Sequence, residues 1–249
     1  DATDYFVVSY SSNDSVGHIW GPDSQEVLDI TLRSDALLGE MLAYLDEKIG
    51  WENYVMALCS DHGVCPNPEI ARKQGHVADR VVINKEIVEL KFHTTGNWIL
   101  AATGAGVYLD LRTVQEAGKT EAEAEAAVAE WFQSRPYTQE VITRSQIMSK
   151  QPLSPQGELV RNCFHEERSG NVMPIFKPYH YLSKYTTGTT HGSPHPYDTH
   201  VPLYFVGGRI QPGQRTERVS PQLAAVVLAA TMGQKLADSQ VEVPVGLVQ

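Results

Sequence analysis

Two short stretches set a carboxylate beside an imidazole: Asp14-Ser15-Val16-Gly17-His18 and Ser60-Asp61-His62-Gly63. Each follows an apolar run, residues 5–10 and 54–59, that reads as a strand. Much later Thr189-Thr190-His191-Gly192 lies in a Gly/Thr/Pro-rich loop ahead of a third apolar run, residues 201–206. Three Asp/His elements at strand ends can build a site for two divalent ions. Oxygen and nitrogen ligands without thiolate suit zinc, with manganese or magnesium as weaker alternatives. Asp14 and His18 are four apart, so a helical turn faces both the same way. Asp61 and His62 would diverge within a strand, but just beyond its end both can reach one ion. The carboxyl edge of a parallel sheet is where ligands usually bind. Alone, either pair is a weak signal; together, at strand ends with a long helix between them, they are a strong one.

The elements that must position these residues follow from periodicity. Phe6-Val7-Val8 reads as a buried parallel strand. Residues 23–49 read as an amphipathic helix: Asp23 or Ser24 caps it, apolar residues from Val27 to Leu45 recur at three-to-four spacing, and Gly50 stops it. With residues 54–59 next, the opening is strand–helix–strand, a right-handed crossover onto a parallel sheet. Residues 64–96 are irregular, with 81–83 a short strand. Residues 98–102 and 106–111 form a strand pair turning at Gly104. Thr120 and Glu123 make a capping box for an Ala/Glu-rich helix ending before Pro136, and 139–143 is a strand. This block, about 80–150, reads as a small α+β insertion. Core strands resume at 172–176 and 201–206, and Ser220-Pro221 opens a final helix ending at Gly233.

Composition narrows the function classes. With 249 residues the chain can bury a full core, and 42% hydrophobic with 20% charged residues is a globular balance. The net charge of −10 disfavours nucleic acid or an anionic membrane as partner. It also makes anionic substrates awkward unless metals supply a positive field. No apolar run reaches the roughly 18 residues of a membrane span. The chain has neither an initiator Met nor a signal peptide, and reads as a mature or truncated product. Cys59, ending an apolar run, reads as a buried small hydrophobe; a Cys59–Cys65 bridge is the alternative in an oxidising compartment. Cys163 adds no thiolate metal pattern.

Taken with Gly21-Pro22 and Pro196-Tyr197-Asp198, the three motifs resemble the alkaline phosphatase superfamily. The resemblance is closest to the type I phosphodiesterase/nucleotide pyrophosphatase branch and, within it, to phosphate-irrepressible periplasmic alkaline phosphatases. It runs over nearly the whole chain and includes Arg168-Ser169-Gly170-Asn171-Val172, similar to that family's strand entry. It implies an α/β fold with a mostly parallel sheet and flanking helices. By position, it implies that Asp14, His18 and His191 hold one zinc ion and Asp61 and His62 the second. A nucleophilic Thr or Ser and a further Asp are expected upstream, so residues 1–249 read as the C-terminal part of one catalytic domain, its first strands missing. No catalytic nucleophile is assigned within the chain.

The implied activity is zinc-dependent hydrolysis of phosphate monoesters by two-metal transfer. The alternatives are a phosphodiesterase or nucleotide pyrophosphatase, and a catalytically silent metal-binding domain. The implied partners are a small-molecule phosphate ester and the missing N-terminal segment of the same protein, in the periplasm or outside the cell. A sulfatase is disfavoured because its nucleophile motif is absent. His195 and His200 read as loop packing or as hydrogen-bond partners of ligands rather than as ligands. His76, His93, His165 and His180 read as isolated polar residues, Lys177 and Arg168 as solvated charges. Tyr179, Tyr181 and Tyr185 read as lid or core packing.

Overall fold

The computed structural model describes residues 3–248 apart from 83–84, 87–88, 92–93, 95–96 and 105. In chain order its first elements are α1 (Ser11–Trp20), α2 (Gln25–Lys48), β1 (Val55–Cys59), α3 (Pro68–Lys73), β2 (Asp79–Val82), β3 (Ile99–Thr103) and β4 (Gly106–Leu109). Then come α4 (Leu111–Glu116), α5 (Glu121–Gln133), β5 (Thr138–Thr143), α6 (Arg144–Met148), α7 (Pro155–Cys163) and β6 (Val172–Phe176). The last are β7 (His180–Ser183), α8 (Pro196–Thr199), β8 (Leu203–Gly207) and α9 (Leu223–Thr231). The chain divides into two compact units. One comprises Asp1–Val16, Ser24–Gly63 and His200–Gln249; the other comprises Gly17–Asp23 and Val64–Thr199.

In the first unit α2 forms as its ends dictate. Ser24 Oγ accepts from the Val27 N–H at 3.1 Å, and Gly50 follows at φ +88°, a left-handed position that ends the helix. Its apolar spacing is helical, yet none of its side chains is buried. β1 pairs antiparallel with β8, Val55 opposite Gly207 and Cys59 opposite Leu203. Leu223 and Val227 of α9 close a small core with Leu247, against which Leu203 and Phe205 of β8 pack. Residues 220–222 form a turn, with Leu223 N–H donating to Ser220 O at 2.9 Å, so α9 starts later than the Ser220-Pro221 signal predicts.

The second unit holds a four-stranded sheet in the order β3-β4-β6-β5. Every pairing in it is antiparallel, with Val107 opposite Val172 and Ile142 opposite Met173. Alternation sends neighbouring residues to opposite faces. Val141 and Val172 join Trp98, Val107, Val128, Trp131 and Phe132 in the larger core, which α5 covers. Ile142, Met173 and Ile175 pack instead with Ile147 and Leu153. A separate pair, β2 and β7, is parallel, with Arg80 opposite Tyr181.

Three expectations need correction. Residues 5–10 form no strand, and Phe6 and Val7 are 83% and 78% exposed. A strand exists only within a hydrogen-bonded ladder, and none among the described residues includes this run. The sheet is therefore not mostly parallel. Without the predicted crossover through α2, β1 pairs with β8 running the other way, and β2–β7 is the one parallel pairing among the described residues. Cys59 is exposed whereas Cys65 is buried, and all three cysteines are free thiols. Burial at a strand end depends on what packs there, which an apolar run alone does not carry. Ile83 and His93 lie outside the described residues. No described helix is long and apolar enough to cross a membrane.

Candidate metal centre

In the first unit the site is built from the first turn of α1 and the loop leaving β1. Asn13 fastens the start of α1 to α2: its Nδ2 donates to Thr31 Oγ1 at 3.2 Å and its Oδ1 accepts from Ser34 Oγ at 2.9 Å. Asp14 comes next. Beyond β1, Ser60 Oγ donates to His62 O at 2.5 Å and Asp61 Oδ1 accepts from the His62 N–H at 3.2 Å. This tight turn resolves the geometry that a strand would forbid, because Asp61 and His62 now face one point. His62 Nε2 lies 3.9 Å from Asp14 Oδ1 and 3.6 Å from Asp61 Oδ2. Both separations are too long for hydrogen bonds. They lie slightly beyond the roughly 3.3 Å between two ligands of a tetrahedral zinc with bonds of about 2.0–2.1 Å. Asp61 is 88% exposed and His62 26% exposed.

His18 and His191 belong to the second unit, with ring centroids 4.9 Å apart. His18 lies in the last turn of α1, and the loop after β7 is tied to it twice: His18 Nδ1 donates to Thr189 O at 2.8 Å, and the Thr189 N–H donates to His18 O at 2.8 Å. Thr189 is buried; its Oγ1 donates to Cys65 O at 2.5 Å, and the Cys65 N–H donates to Thr190 O at 3.1 Å. The Cys65 thiol is pushed up to about 12, chiefly by burial, so it stays protonated as a packing group.

The tautomers of two imidazoles follow from these bonds. A carbonyl only accepts, so Nδ1 of His18 and of His62, which is 2.9 Å from Gly63 O, carries the proton. The lone pair then sits on Nε2. Metal-ligating histidines are characteristically oriented in this way. Carboxylate oxygens with imidazoles so arranged make a donor set that fits zinc.

The remaining histidines do other work. Buried His195 donates Nε2–H to Phe176 O at 2.7 Å, His180 Nδ1 lies 3.0 Å from Pro178 O, and His76 stacks on Tyr179. The His165 Nδ1 accepts from the Glu167 N–H at 3.2 Å, and His200 is exposed. Lys177 Nζ donates to Pro136 O at 2.5 Å. The three tyrosines differ: Tyr179 stacks with Tyr197, Tyr185 is exposed, and Tyr181 is buried with its hydroxyl on Gly188 O at 2.9 Å. A cavity of about 710 Å³ within this unit is lined by His191, Phe176, Tyr181, Tyr197, Asp198 and Arg168, among others. Buried Asp198 accepts from Ser193 N–H and Oγ–H at 2.8 and 2.5 Å, and burial raises its pKa. Sequence reasoning passed over Arg80 and read Tyr181 only as packing; both donate to a backbone carbonyl, which no side-chain motif marks.

The profile of the type I phosphodiesterase / nucleotide pyrophosphatase family matches residues 1–198. The alkaline phosphatase PafA of Elizabethkingia meningoseptica is 32% identical over 225 residues, covering 87% of this chain and 40% of that protein. A Myroides odoratus protein named calcium-transporting ATPase is 30% identical over 236 residues, covering 90% and 43%. The crystal structure of wild-type PafA superposes with a TM-score of 0.87 at 26% identity, over 96% of this chain and 46% of that one. The chain thus spans less than half the length of the relatives it matches. With the family profile running through all three Asp/His motifs, this chain belongs to the type I phosphodiesterase / nucleotide pyrophosphatase family.

Proposed function

We propose that this chain supplies metal ligands for the hydrolysis of phosphate monoesters by two-metal phosphoryl transfer. In this reading Asp14, His18 and His191 hold one zinc ion, and Asp61 and His62 hold the second. Zinc, when bound, polarises phosphoryl oxygens and lowers the pKa of an attacking oxygen. The chain's residues prepare for this by orientation. Gly63 O and Thr189 O hold Nδ1–H of His62 and His18, leaving the Nε2 lone pairs to the ion. The observation that carries the reading is the approach of Asp14 and Asp61 to His62 Nε2 at 3.9 and 3.6 Å, too long for hydrogen bonds and close enough for two neighbouring cations to lie among them.

Two dications outweigh an acidic surface locally, so a net charge of −10 is compatible with an anionic substrate. We place the nucleophile, a Thr or Ser by resemblance, in polypeptide N-terminal to this chain, and the protein in the periplasm or outside the cell. The monoester assignment follows the relatives named alkaline phosphatases. The family's description favours the second reading, a phosphodiesterase.

The test is the protein carrying this chain, assayed at alkaline pH on p-nitrophenyl phosphate and bis-p-nitrophenyl phosphate. Faster monoester turnover, lost with chelator and restored by zinc, is expected. Preference for the diester would move the assignment to the second reading, and turnover indifferent to chelator would sink the metal reading altogether.

A further inference from the structure

We propose that Arg80 is a positioning residue of the metal centre, holding the loop that bears His191 through the carbonyl of Gly188. The inference rests on the metal-centre reading above. Arg80 lies on β2, and its side chain is only 8% exposed. Its Nε and Nη2 donate to Gly188 O at 2.9 and 2.6 Å. The Tyr181 hydroxyl, directly across the β2–β7 pair, donates to the same oxygen at 2.9 Å. The guanidinium is aimed by Glu69 of α3, which accepts from Nη2 at 2.8 Å and from Nη1.

What this fork holds is the seat of two candidate ligands. Gly188 has φ +75°, and a Cβ there would lie 2.5 Å from His18 O, so only glycine lets this backbone rest against the end of α1. The next residue, Thr189, exchanges two hydrogen bonds with His18, one of them to Nδ1 of the ring. His191 follows two residues later. Displacing the Gly188 carbonyl therefore moves the group that orients His18 and the backbone that carries His191. Lysine supplies a charge at this place but not a planar fork that can serve Gly188 O and Glu69 together. Arg80 acts through other groups, since its own bonds go to Gly188, Glu69 and neighbouring Asn67.

The experiment compares the chain with its Arg80→Lys and Tyr181→Phe variants in two measurements. Zinc affinity is read by competition with a chromogenic chelator. The imidazole resonances are read by NMR in the metal-free state. We expect Arg80→Lys to weaken zinc binding about 10–100-fold, the usual cost of disturbing groups that orient ligands. It should also shift the ring signals of His18 and His191 while those of His62 stay in place. Tyr181→Phe, which removes one donor of the three on Gly188 O, should fall between and guards against a lysine variant that does not fold. Unchanged zinc affinity and unmoved His18 and His191 signals would overturn the proposal. If the parent chain binds no zinc, the metal-centre reading fails, and the ring signals alone decide whether Arg80 sets the loop.

Discussion

His18 and His62 are each oriented by one carbonyl, and in the proposed reading this preorganisation is the residue-scale content of the site. The same scale holds a pH test of the loop's anchor. Glu69 is held at about 2, below its ordinary 4.5, mainly by the hydrogen bond from Arg80. A carboxylate with a depressed folded pKa stabilises the fold above its unfolded pKa and loses that contribution as pH falls through the folded value. The contribution should thus fade between about pH 4.5 and about pH 2. Half exposure of Glu69 keeps it small. Urea midpoints of the chain and its Glu69→Gln variant should differ at about pH 6, and the gap should shrink below about pH 4.5 and close at about pH 2. A gap that stays constant would contradict the pairing. Asp14, His18, Asp61, His62 and His191 stand out in the sequence as candidate ligands because carboxylates and imidazoles carry chemistry by type, although no strand precedes Asp14. Arg80, and the hydrogen bond of Tyr181 beyond its packing role, were not legible, because their partner is a carbonyl, for Arg80 one 108 positions away.

Among the elements, those with local signals were read well and those needing a distant partner were not. The α5 capping box forms as predicted: Glu123 N–H donates to Thr120 Oγ1 at 3.2 Å, and Thr120 N–H donates to Glu123 Oε2 at 2.8 Å. α5 covers the larger core through Val128, Trp131 and Phe132, so fraying its first turn should be felt throughout the second unit. Thr120→Ala should cost about 1 kcal/mol, read as a lower urea midpoint, with Thr120→Ser restoring most of it. No change in midpoint would show that the cap is idle. Residues 5–10 were misread because an apolar run says what a strand would bury, not whether a ladder partner exists. Short elements such as α3, α8 and β7, of four to six residues, fall below the length at which periodicity is readable.

At the scale of the molecule, each unit has its own apolar core, and the five candidate ligands are divided between them: Asp14, Asp61 and His62 in one, His18 and His191 in the other. α1 carries Asp14 and His18 one turn apart. The α/β class was legible from alternating elements; the antiparallel pairing of β1 with β8 was not, because strand direction is settled by which partner is present. In the proposed reading these five residues bind zinc. Its most direct test is anomalous diffraction at the zinc edge from crystals of the zinc-loaded protein. We predict one peak about 2.0–2.2 Å from ligand atoms of Asp14, His18 and His191. A second peak, at Asp61 and His62, should lie about 4 Å from the first. Zinc density at neither place, or only at the cysteines, would contradict it.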